Sequence, residues 1–168
     1  MQITRLSKVA LVAAIAFFAS LVSFGNITDY GTNYEFVRHV FEMDTIFPNS
    51  TIKYRAITSP ALHTAGYVLI IAAETLTAIL CWIGAYAMLT RLGAPAPAFN
   101  SAKKWAIAGL TLGFLTWQVG FMSIGGEWFG MWMSHQWNGI ESAFRFFITI
   151  IAVLIYVSLP DADGKAEA

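Results

Sequence analysis

The chain has 168 residues, of which 57% are hydrophobic and only 12% charged, a composition that excludes an ordinary soluble domain. Lys+Arg and Asp+Glu stand at 10 each, so the zero net charge argues neither for nucleic acid nor for a polybasic lipid patch. Cys81 is the lone cysteine, which excludes an internal disulfide and a cysteine-rich metal cage.

Four apolar runs long enough to cross a bilayer set the expected architecture, an all-α membrane protein of four transmembrane helices in an antiparallel bundle. The first span is placed at 7–25, with Arg5 and Lys8 at its positive start. A positive start before an apolar run also fits a secretory signal, but this run is longer than a signal core, so it is read as a retained span. Residues 26–60 form an outer loop with organisation of its own. Phe36, Val40, Met43 and Phe47 keep the helical step, which predicts a short surface helix over Asn33–Phe47 stopped by Pro48. Pro48-Asn49-Ser50 reads as a turn, and Ser59-Pro60 as the opening of the second span, 61–90.

The second span organises the rest. Its central ionisable residue is Glu74, and His63, Tyr67, Ile70, Glu74, Thr77, Cys81, Gly84 and Met88 fall on one helical stripe. A stripe that polar and small calls for protein neighbours rather than lipid. Gly93 to Pro97 then breaks the chain. The third span, 104–124, carries Gly109 and Gly113 at the spacing that lets two helix backbones approach. Residues 125–138 are an aromatic connection whose Trp128, Trp132 and Trp137 suit the headgroup level. Asn138 and Glu141 have the spacing of a capping box for the fourth span, 138–159, and Pro160 to Ala168 reads as a mobile tail. Arg5, Lys8, Arg91, Lys103, Lys104 and Lys165 lie on one side, and only Arg38, Lys53 and Arg55 on the other. That bias places both termini in the cytoplasm.

Three constellations are candidates for chemistry. Glu74, Gln118 and Arg145, with Glu141 one turn before the arginine, lie roughly 16, 9 and 10 Å into their spans at ~1.5 Å per residue, so the first three are expected to meet in the outer half. They would then form either a proton relay or quinone-headgroup pocket, or a buried ion pair that fixes helix register. His39, His63 and His135 come from three segments that all reach the outer face, where Asp29, Glu35, Glu42, Asp44 and Glu127 supply carboxylates. Imidazole plus carboxylate suits Zn or Cu, although the spacing carries no metal signature, and hydrogen bonds to loop backbone are the alternative. Third, the aromatic outer loops, with Phe36, Phe41, Trp128, Trp132 and Trp137, serve either as an interfacial belt or as a surface for a partner protein. No histidine falls within the first, third or fourth spans, so paired haem ligation is not expected.

The strings NYEFVRHVFEMDTIFPNSTIKYRAI (33–57) and GGEWFGMWMSHQWNGIESAFRF (125–146) resemble the outer-loop signatures of a bacterial family of small integral membrane proteins of unknown function. The resemblance runs over almost the whole chain. Tyr54 departs from it, standing where the family pattern has Trp before Arg55. It implies a four-span inner-membrane protein and carries no catalytic residues. The leading expectation is therefore a non-catalytic accessory or stabilising subunit of a larger inner-membrane assembly, respiratory or photosynthetic. It would contact membrane lipids and a membrane-protein partner or a second copy, with no cofactor beyond lipid or quinone. The alternatives are a redox or metal-dependent enzyme subunit with a quinone or metal site near the outer face and, ranked last, a small transporter or channel.

Overall fold

A computed structural model describes residues 2–163. Four helices are long and apolar enough to cross a membrane: Gln2–Thr28, Pro60–Leu89, Ala96–Trp128 and Ile140–Ser158. In chain order the helices are α1 (Gln2–Thr28), α2 (Tyr30–Glu42), α3 (Pro60–Leu89), α4 (Ala96–Ala102), α5 (Lys104–Leu115) and α6 (Ile140–Ser158). A π-helix over Thr116–Trp128 prolongs α5, and single 3-10 turns sit at Lys53–Arg55 and Met131–Met133. Helix α1 packs on α3, α3 on α5, and α5 with its π extension on α6; a lighter contact of α6 with α1 closes the ring.

The polar and small stripe of α3 is its buried face, with Ala78 and Ala85 added to it and Ile70 half-buried. That face is narrow enough for α5 to lie against it. A Cβ on Gly84 would run into the Ala106 backbone, one on Gly109 would sit 2.8 Å from the Cys81 amide nitrogen, and one on Gly113 2.9 Å from Thr77 Cγ2. Around this seam Val12, Ala16, Leu110, Trp117 and Ile150 form the main core.

A second, smaller core lies under the loops at the opposite end from the termini: Val40, Met43, Ile46, Phe129, Met131 and Met133. It explains where α2 stops. The surface helix begins at Tyr30 and ends at Glu42, five residues short of the expected Phe47, because Met43 turns left-handed (φ 52°) and points its buried side chain into this cluster. Pro48 sits in the turn that follows, where the Ser50 amide donates to Phe47 O at 3.0 Å. Ser59 and Pro60 open α3 as expected.

Two further boundaries differ from the expectation. The third span starts at Ala96 and runs to Trp128, so the first four residues of the supposed aromatic connection belong to the π-helix. The capping box does not close: Asn138 Oδ1 accepts from the Ile140 amide (3.1 Å), Gly139 occupies the cap position, and Glu141 pairs forward with Arg145 instead of back. Nor is the start of the C-terminal tail free. Asp161 is fastened to the bundle, whereas residues 164–168, with Lys165, lie outside the described residues.

Candidate functional site

Polar chemistry collects at three levels, and at mid-height it centres on Glu74. This residue is 1% exposed and its Oε2 accepts a 2.7 Å hydrogen bond from Asn26 Nδ2. The bond belongs to a ladder between α1 and α3. Tyr67 donates to Asn26 O (2.9 Å), Ser23 pairs with Thr75 (2.6 Å) and Trp82 Nε1 donates to Ser20 Oγ (3.1 Å). Ser20, Ser23 and Asn26 recur every third residue on α1, a signal present in the sequence, but Asn26 falls in the segment expected to be loop.

Arg145 does not join Glu74. It is ion-paired with Glu141 and both side chains are largely exposed. Helix geometry gives the reason: α6 buries Ala143, Ile150 and Val153, and Arg145 lies two residues, or about 200°, around from Ala143. Gln118 is half-buried in the π-helix, and its side chain has no hydrogen-bond partner among the described residues. The expected Glu74–Gln118–Arg145 cluster is thus replaced by an acid–amide pair between Glu74 on α3 and Asn26 on α1.

At the loop end the three histidines are dispersed. Arg38 donates to His39 Nε2 (2.9 Å), so Nδ1 carries the proton that His39 gives to Asp44 (2.7 Å); the ring stacks on Trp137, 4.5 Å between centroids. Arg38 also grips Glu35 (2.6 Å) and Glu42 (2.9 Å), and its hydrogen bond holds the Glu35 carboxyl below the usual carboxylate range. His63 is buried and donates Nε2–H to Ile57 O (2.7 Å), leaving Nδ1 without a partner among the described residues. His135 is exposed. Among the described residues no three His, Cys, Asp or Glu side chains come together as a metal set, so His39, His63 and His135 are not assembled into one site.

The aromatic residues do converge. Phe41 stacks on Phe129 (4.9 Å), Phe36 meets Trp137 edge-on (6.2 Å) and Phe47 meets Trp132 (5.9 Å). The Arg55 guanidinium lies 4.7 Å over Trp128 and 5.5 Å over Tyr54, so Tyr54 serves as an aromatic face for its neighbour. Together they weld α2, the 43–59 loop and the 129–139 connection into a cap whose outer surface shows Tyr54 (78% exposed), Trp128 and Trp132. Beneath Trp132 a lateral groove of about 540 Å³ opens between the π-helix and α6, lined by Met122, Asn138, Ile140, Glu141 and Phe144.

At the terminal end lies a charge knot that no sequence motif marks. Lys8 and Lys103, each 2% exposed, both reach Asp161 (2.7 and 2.5 Å) and both donate to Leu159 O. Arg5 donates to Leu92 O (3.0 Å) and Ala94 O (2.6 Å) in the turn after α3. Burial pushes the Asp161 carboxyl up, but the hydrogen bonds from Lys103 and Lys8 outweigh it and hold the group below its ordinary value. A weaker signal is present: cations at the starts of two spans and an acid just past the end of a third. Their common height becomes visible only once the helices are paired.

Neither the curated proteins nor the solved structures contain a significant match to this chain. A family model described as "Predicted small integral membrane protein (DUF2165)" matches residues 4–160, which takes in all four spans, the cap and the lysines of the charge knot. The chain belongs to that family of small integral membrane proteins.

Proposed function

We propose that this protein is a non-catalytic subunit of a larger bacterial inner-membrane assembly, with both termini in the cytoplasm and the aromatic cap facing outward to meet a partner. The cap is the observation that carries the reading. Three separate segments are fastened into one platform, yet Tyr54, Trp128 and Trp132 remain on its outside, the residue types that anchor protein interfaces. Glu74, Asn26, Ser23 and Thr75, by contrast, are engaged in holding α1 to α3. Sidedness is supported by five cations at the terminal end, Arg5, Lys8, Arg91, Lys103 and Lys104, against Arg38, Lys53 and Arg55 at the cap end. Gentle detergent extraction of native membranes tests the proposal. The chain is expected to migrate within a larger species, and Trp128→Ala with Trp132→Ala is expected to weaken that association at least tenfold, the scale of a hot-spot anchor worth ~2 kcal/mol. Migration of the wild-type chain alone in every mild detergent would sink the idea.

One observation favours a second reading, a quinone-binding redox subunit. The 540 Å³ groove below Trp132 has the size of a small-molecule site and carries Asn138 and Glu141 at its rim. Lipid extracts of the purified protein that contain stoichiometric quinone would support it, and their absence would remove it.

A further inference from the structure

The balanced charge total conceals a segregation at the terminal end. Two acids of that end, Asp161 and Asp163, both face the buried cations Arg5, Lys8 and Lys103. Arg91 and Lys104, on the outside, form no ion pair among the described residues. They line one cleft of about 310 Å³ at the junction of α3, α4 and α5, together with Thr90, Ser101, Ala87 and Trp105. Two cations with no ion pair among the described residues therefore share a concave site at one end of the spans. Lys104 Nζ stands 5.4 Å over the Trp105 ring, and Trp105 is 42% exposed with an indole N–H that has no partner among the described residues.

We propose that this cleft binds the phosphate headgroup of an anionic membrane phospholipid. Charge complementarity selects the phosphate: Arg91 offers a guanidinium fork, Lys104 a point charge and Trp105 a neutral donor. The surroundings select a lipid over a free ion. Directly below the cleft, Ile83 on α3 and Ala108 on α5, one turn from Ala87 and Lys104, continue its lining and are exposed. The seam they flank is the close α3–α5 contact at Gly84 and Gly109, so an acyl chain has a shallow apolar track running away from the charges. The knot and the cleft divide the work at this end. Inward cations are neutralised by the chain's own aspartates, and outward cations by the membrane.

The test uses the full-length protein in nanodiscs, with native mass spectrometry as readout. Wild type in phosphatidylcholine discs containing a minor fraction of phosphatidylglycerol is expected to retain phosphatidylglycerol on release. Arg91→Gln with Lys104→Gln is expected to lower that retention about 30-fold, since each basic side chain near the surface contributes roughly 1 kcal/mol. Lys53→Gln, exposed at the opposite end, is expected to leave it unchanged, and the charge-preserving Arg91→Lys with Lys104→Arg to keep most of it. Both sites are exposed, so the variants are expected to fold, which their unfolding temperatures check. Equal retention by wild type and the double Gln variant overturns the proposal. So does displacement of the lipid by millimolar inorganic phosphate, which would make a free anion the ligand.

Discussion

Glu74 directs its carboxylate to a single side-chain donor, Asn26, across the α1–α3 seam. Without the carboxylate the half-buried Asn26 amide loses its partner. Glu74→Ala is therefore expected to destabilise the protein by about 1–2 kcal/mol, the cost of one lost hydrogen bond to a charged group, read as a lower unfolding temperature in detergent. Replacing both partners, Asn26→Leu with Glu74→Leu, is expected to recover most of the loss, because an apolar pair carries no desolvation penalty. Failure to recover, together with a change in a cellular phenotype, would give the acid a role beyond holding two helices in register. The acid is legible in the sequence because a carboxylate amid Leu, Ile and Ala stands out. Its partner is not, because an Asn at the end of a span looks like the loop that follows, and Arg145 draws the pairing by charge alone.

Among elements, the α3–α5 seam depends on the absence of side chains. Gly84 faces the Ala106 backbone, which cannot rotate away, so Gly84→Ala is expected to cost about 1–3 kcal/mol through overpacking. Gly25 in α1 has nothing within 4 Å of the point where a methyl would stand, and it serves as the control: Gly25→Ala is expected to be neutral or to stabilise by up to ~1 kcal/mol through helix propensity. Thermal unfolding of the two variants side by side separates packing from propensity. The long elements can be read directly, since twenty or so apolar residues leave little else for the chain to do. Their ends cannot. Met43 stops α2 through a tertiary contact with the cap core, and the π-helix carries the third span past its expected end at residue 124 to Trp128. Neither event has a local sequence signature comparable to Ser59-Pro60. The aromatic cap lies between these extremes: its residues stand out in the sequence, but which ring meets which follows from α2 folding back over the 129–139 connection.

For the molecule as a whole, acid sensitivity is expected to reside at the terminal end. The Asp161 carboxyl ionises below its ordinary 3.8 in the folded protein, so unfolding at low pH takes up a proton. Its contribution to stability is complete above that ordinary value and is lost as pH falls through the lower folded value. Unfolding measured from pH 7 downward should show a decline beginning near pH 4, and Asp161→Asn should flatten it. The same substitution leaves Lys8 and Lys103 buried without their carboxylate, so at neutral pH it is expected to cost about 3–5 kcal/mol, the range for breaking one side of a buried ion pair. Exposed Glu35, also held low by Arg38, sits in solvent and should add little to that limb.

Asp161 comes after the last span, whereas the ammonium groups it neutralises are at residues 8 and 103. During synthesis the first and third helices therefore reach the bilayer carrying charges that have no counterion until the ribosome has passed the fourth. A chain ending before that point has no carboxylate for the two lysines. Closure of the base therefore waits for residue 161, and a product truncated at Ser158 is expected to unfold at a lower temperature than the full chain.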